Sequence, residues 1–218
     1  MSDESLIREV DEEVRADEYK RIWNRYGSVF TALAVAVVLG VAAFKGWEYY
    51  EQTRSETAGV VYATAVKQAG DGKYDDALAA LKAVNHAGYG QLARLEEAAV
   101  LAEKGDAEQA VQAYDAIAAD SSIDPLLADL ARIRAAYLLV DTAKPEDLQA
   151  RIGRFDKEGE IWRNQAREVL GLAAWRAGDF LTADRYMNMI FSDPDTAPAM
   201  RQRAQVMVQL IAPNLPKS

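Results

Sequence analysis

Residues 27–44, GSVFTALAVAVVLGVAAF, run for 18 positions without a charged side chain. As a helix this run spans about 27 Å, close to the ~30 Å hydrocarbon thickness of a bilayer. Trp23 and Tyr26 flank one end, and Trp47, Tyr49 and Tyr50 the other. Rings that are apolar with a polar tip suit the headgroup level on both sides. Three readings compete. A signal-peptide core has a small-x-small site in Gly40, Val41 and Ala42, but it wants a short positive leader. Here 26 residues precede the core, and they include Asp3, Glu4, Glu9, Asp11, Glu12, Glu13, Asp17 and Glu18. A soluble core helix does not account for the aromatic collars. The run is therefore expected to be a retained anchor.

Its orientation follows from nearby Lys and Arg. Arg8, Arg15, Lys20, Arg21 and Arg25 precede the run, against Lys45 and Arg54 after it. The excess puts the N-terminus in the cytoplasm, because acidic residues count for little in this bias. The expected organisation is a cytoplasmic tail (1–26), a transmembrane anchor (27–45) and a large domain on the far side (46–218), periplasmic in a bacterium with two membranes. In the tail, Ile7, Val10 and Val14 recur at helical spacing. Acids gather early and bases late, which suits the helix macrodipole.

The chain's chemistry is narrow. Its 34 acidic residues outnumber 25 basic ones, which argues against nucleic-acid binding. There is no Cys and one His, so thiol nucleophiles and Cys-based metal sites are excluded. His86 lies in the loop sequence AVNHAGYGQ, without the convergent partners a catalytic triad needs. GDGK at 70–73 lacks the spacing and the Ser/Thr of a phosphate loop. No cofactor, no metal and no enzymatic activity are expected.

Beyond the anchor the chain repeats. Gly72, Gly105 and Gly178 are each followed five residues later by Ala77, Ala110 and Ala183, and four further by Leu81, Tyr114 and Met187. Gly72 and Gly105 are 33 residues apart, close to the tetratricopeptide period of about 34. Gly ends one helix in a left-handed turn. Ala lets two antiparallel helices close, and the bulky residue fills the groove beside it. Ala98 and Gly171, seven residues before their turn glycines, supply the facing small residue. DLARIRAAYLLVDT and KPEDLQARIGRF read as a degenerate unit between the second and third matches, and APAMRQRAQVMVQLIA as a last helix. The expected fold is all-α: one transmembrane helix, then a tetratricopeptide-like solenoid of about four helical hairpins plus a C-terminal helix. Such hairpins bury their faces only against neighbours.

On such a solenoid the first helices of the hairpins line the concave side. Projection places Leu92, Leu95 and Ala99 there from the second unit, Arg132 and Leu139 from the third, and Leu172 and Trp175 from the fourth. A groove of this kind holds an extended or helical polypeptide through apolar anchors. A Lys/Asn clamp for a C-terminal carboxylate is not evident, since Leu95 and Ala99 stand where its polar groups belong.

The segments REVDEEVRADEYKRIWNRYG before one span, WRNQAREVLGLAAWRAGDF and RQRAQ together resemble a group of bacterial inner-membrane proteins. These are the YfgM-like, tetratricopeptide-like ancillary subunits of the SecYEG translocon. The resemblance covers nearly the whole chain and brings no catalytic residues. It implies a periplasm-facing adaptor or chaperone at the translocon. Its implied partners are SecYEG, exported polypeptides and a membrane-anchored periplasmic peptidyl-prolyl isomerase-like chaperone. The alternative is a structural scaffold of another envelope complex, such as cytochrome c maturation or division machinery.

Overall fold

The computed structural model describes residues 3–216, with side chains for 20, 21 and 23–216. The apolar spacing of Ile7, Val10 and Val14 concerns side chains outside the described residues. The chain divides into two compact units, Met1–Glu56 and Thr57–Ser218. Among the described residues there are helices and no strands.

Helix α1 (Asp3–Gly70) accounts for the first unit and supplies the first helix of the second. Gly46 and Gly59 are both helical, although glycine weakens a helix interior. Within the first unit Val29, Phe30, Leu33, Val38, Leu39 and Phe44 are each more than half exposed. A contiguous apolar surface of this size has no place in water and marks an interaction with membrane or protein. Among the described residues, this is the one helix long and apolar enough to cross a membrane. The Thr31 hydroxyl donates to the Gly27 carbonyl at 2.8 Å, so the span keeps no unmet donor there. Arg25 lies over the Tyr26 ring at 5.8 Å and Arg54 over the Tyr50 ring at 5.6 Å.

The second unit continues with α2 (Tyr74–Lys82), α3 (Ala87–Lys104), α4 (Ala107–Ala119), α5 (Pro125–Leu139), α6 (Pro145–Ile152), α7 (Arg163–Arg176), α8 (Phe180–Ser192) and α9 (Pro198–Ile211). Short 3-10 turns follow α6 and α9. Among the described residues the helices pair in chain order, giving four hairpins and a closing helix. The turns after three first helices are alike. The Gly72, Gly105 and Gly178 amides donate to the carbonyls of Ala69, Ala102 and Trp175, and the next residues donate to Gln68, Leu101 and Ala174. This double closure needs a left-handed residue, and all three glycines have φ between 76° and 96°. The third hairpin has no such glycine. There Thr142 and Ala143 both donate to the Leu139 carbonyl, and α6 restarts at Pro145, whose ring suits the first helical position.

The repeat's small residues sit where the helices touch. Ala65, Ala77, Ala98, Ala110, Ala136 and Ala183 are fully enclosed. Leu81, Tyr114 and Met187 fill the grooves beside them. In the degenerate unit Leu148 and Ile152 take the two inward positions and bury Phe155 with them. At Gly171 a Cβ would meet the Met187 methyl at 2.7 Å and Tyr186 Cβ at 3.1 Å. A side chain larger than a methyl would not fit while α8 stays this close to α7. At Gly59 the Tyr89 ring occupies the space a side chain would take, with its hydroxyl 3.0 Å from that Cβ position.

Ion pairs then tie the helices together, within the second hairpin (Arg94) and between successive hairpins (Lys104 and Arg151). Lys104 bonds Asp75 at 2.8 Å, Arg94 bonds Asp120 at 2.6 Å, and Arg151 bonds Asp115. His86 caps α3, its Nδ1 accepting from the Tyr89 amide at 3.4 Å. That is a structural task for the chain's single histidine.

Candidate partner-binding groove

First helices of successive hairpins lie side by side, α3 against α5 and α5 against α7. Beside α7, the closing helix α9 completes a groove of about 700 Å³. Tyr137 comes from α5, Glu168 and Leu172 from α7, and Gln202, Arg203, Val206 and Met207 from α9. Residues 168 and 172, and 203, 206 and 207, are three or four apart, so each set shares one helix face.

The polar floor centres on Glu168. The Glu168 side chain is only 8% exposed and accepts from Arg203 Nε at 2.7 Å. Its other oxygen accepts from Arg203 Nη2 at 3.0 Å and from the Tyr137 hydroxyl at 2.6 Å. A buried carboxylate is tolerable only when paired and fully bonded, and these three bonds meet that condition. Burial, reinforced by the Glu168 carboxylate, holds the Tyr137 hydroxyl well above its ordinary pKa. It stays a donor throughout the physiological range. The bond to Glu168 likewise raises Arg203. Leu172, Val206 and Met207 form the apolar wall.

The expected contact residues are placed as follows. Leu172 lines this groove. Trp175, one turn further along α7, is 41% exposed. Leu92 is exposed on α3, and Ala99 is half-buried on the same helix. Leu95 is 7% exposed and packs with Ala98, Tyr114 and Ile117; α3 turns it toward α4, so it belongs to the core. Leu139 is half-buried against the core built from Ile133, Leu148 and Ile152. Arg132 donates to Asp129 at 2.7 Å and to the Ala118 carbonyl, which ties α5 to α4. Tyr137, Glu168, Arg203, Val206 and Met207 were not foreseen from sequence. One signal was available: Glu168 is an acid inside the apolar run AREVLGLAAW, four residues before Leu172.

A second network fixes the end of the solenoid. Asp193 accepts from Arg163 at 2.6 and 2.8 Å, from Asn164 at 3.1 Å and from Arg167 at 3.4 Å. Arg201 of α9 donates to the Asp193 carbonyl at 2.9 Å. The Arg163 bond holds the Asp193 carboxyl well below the usual carboxylate range. A depressed folded pKa stabilises above the unfolded value of about 3.9 and loses that contribution as pH falls toward the folded one. Asp193→Asn is therefore expected to lower Tm at pH 7 by several degrees. The gap from the unsubstituted protein should narrow below about pH 4. Circular-dichroism melts at pH 7 and pH 3 check this, and a gap constant with pH would contradict it.

Among the described residues, one apolar helix of membrane-spanning length, four helical hairpins and a closing helix define a tetratricopeptide-like protein with a candidate membrane span. Comparison with known proteins agrees. The Tetratricopeptide repeat-like domain family matches residues 20–190. The Ancillary SecYEG translocon subunit of Escherichia coli (strain K12) is 33% identical over 184 residues, covering 77% of this chain and 87% of that protein. The chain belongs to this YfgM-like, tetratricopeptide repeat-like family. No solved structure matches it.

Proposed function

We propose that the protein is a membrane-anchored adaptor or chaperone of the Sec translocon. Residues 1–26 form its cytoplasmic tail and 27–45 its anchor, and the domain from 46 onward faces the periplasm. The observation that carries the association is the 33% identity to an ancillary SecYEG subunit. The excess of Lys and Arg before the span supports the orientation. The groove supports polypeptide binding and offers no catalytic constellation: its one carboxylate is spent on Arg203 and Tyr137. Exported polypeptides, and a membrane-anchored periplasmic peptidyl-prolyl isomerase-like chaperone, are the partners this reading assigns.

Photo-crosslinking tests it. A crosslinker at Trp175 or Val206 in intact cells is expected to trap several newly exported chains. Purification from mild detergent is expected to recover translocon subunits. One constant partner without any translocon subunit would overturn the reading in favour of a scaffold of another envelope complex.

A further inference from the structure

We propose that the groove between α5, α7 and α9 receives an extended, uncharged apolar stretch of polypeptide, and that a backbone carbonyl of that stretch accepts from the outer edge of Arg203. This rests on the polypeptide-binding reading above and assigns it a site and a chemistry.

The geometry of Arg203 carries the inference. A guanidinium presents five N–H donors in a fixed plane. Glu168 engages Nε and Nη2. Arg203 Nη1 has no acceptor among the described residues, and the side chain is 56% exposed. The inner edge is therefore clamped, and the remaining donors belong to a half-exposed side chain that lines the groove. Tyr137 holds the same carboxylate from the other side, so the donor is oriented before any ligand arrives. Preorganisation of this kind removes an ordering cost from binding.

Charge decides which acceptor fits. The Arg203 and Glu168 charges cancel locally. An incoming carboxylate on Nη1 would gain a stronger bond to the guanidinium, but the Glu168 charge a few ångströms away offsets part of it, and the carboxylate would have to shed its hydration against an apolar wall. A neutral peptide carbonyl makes a weaker bond there but is far cheaper to desolvate against that wall. The wall of Leu172, Val206 and Met207 then requires apolar side chains on either side of the carbonyl. Met207 adapts to varied shapes. The volume, about 700 Å³, is within the range of ligand clefts and larger than one side chain needs. Trp175, half-exposed one turn along α7, extends the apolar strip. The site is thus tuned to apolar segments in general and reads no sequence.

The test uses the full-length protein in lipid nanodiscs and two short fluorescent peptides. Both carry a Leu-Phe-Leu core at the C-terminal end. One is amidated, and the other ends in a free carboxylate. The amidated peptide is expected to bind more tightly by fluorescence anisotropy. Val206→Glu, on a half-exposed position outside the core, is expected to weaken it by about tenfold or more with Tm unchanged. Arg203→Lys keeps a positive charge opposite Glu168 but has no second fixed edge, and is expected to weaken it by about three- to tenfold. Several results would overturn the site: no binding of either peptide, binding indifferent to Val206→Glu, or preference for the free carboxylate. A concentration-dependent dimer abolished by Val206→Glu would assign the face to a second copy of the chain and also overturn it. Translocon recovery is measured on the same variants. Recovery that persists in Val206→Glu leaves the adaptor reading standing whatever the peptides do. Its absence from the unsubstituted protein would sink the adaptor reading alone.

Discussion

Replacing Gly171 with leucine is expected to destabilise the second unit by about 3 kcal/mol, at the upper end of what overpacking costs. For a domain of this size that lowers Tm by roughly 6–12 °C. The reason is local and quantitative. The first added carbon already lies 2.7 Å from the Met187 methyl and 3.1 Å from Tyr186 Cβ. The methyl is the far end of a flexible side chain and can swing aside. Tyr186 Cβ is fixed to the α8 backbone, so three further carbons can be fitted only by moving α8 away from α7. That movement would open the packing of Ala174, Ala183 and Ile190. Gly171→Ala is the informative control. It meets the same neighbours with one carbon and gains helix propensity of up to about 1 kcal/mol. Its Tm is expected within a few degrees of the unsubstituted protein. If Gly171→Leu melts like Gly171→Ala, then α8 yields easily and the close approach is not a constraint.

That position also shows what could be read from sequence alone. Turn glycines and facing small residues are dictated by backbone sterics and by the distance between two helices. Neither requires knowledge of the rest of the fold. Gly72, Gly105 and Gly178 all adopt the left-handed turn expected of them, and Ala77, Ala110 and Ala183 all vanish from the surface. The degenerate hairpin was legible by a weaker route. Its turn glycine is missing, yet Leu148 and Ile152 keep the two inward positions four residues apart.

The groove was harder for a geometric reason. Each residue along a helix rotates its side chain by about 100°. A one-residue error in projection therefore moves a predicted contact from groove to core. Leu95 was displaced in this way: it packs on Tyr114, while the neighbouring Glu96 remains partly accessible. The polar floor could not be projected at all. Tyr137, Glu168 and Arg203 lie on three helices, and nothing local in their segments says that they bond to one another. The segments that carry the resemblance also hold Glu168 and Arg203. WRNQAREV holds Arg163, Asn164, Arg167 and Glu168, and RQRAQ holds Arg201 and Arg203. These segments carry the two networks that join α7 to the end of the solenoid.

The anchor makes the second large prediction. Substituting both Val35 and Leu39 with arginine is expected to release the protein from the membrane. Each Arg near the centre of a span costs about 2.5–3.5 kcal/mol on insertion scales, and the pair about twice that. Both positions are exposed on α1 and four residues apart, so the two charges share one helix face and repel each other. They lie too deep for both to reach the headgroups by snorkelling. The unsubstituted protein should stay in the pellet after alkaline extraction, while the double variant should be recovered in the supernatant or fail to accumulate. Exchanging both for leucine or valine should change nothing, since the span reads hydrophobicity rather than identity. A soluble unsubstituted protein, or a mature chain starting near Ala43, would refute the anchor. With the anchor lost, the groove would remain folded, because its lining comes from helices of the second unit. Peptide affinity in the released variant should therefore match that of the anchored protein, while crosslinking to newly exported chains in cells should fall. The double arginine variant is thus expected to separate recognition from location.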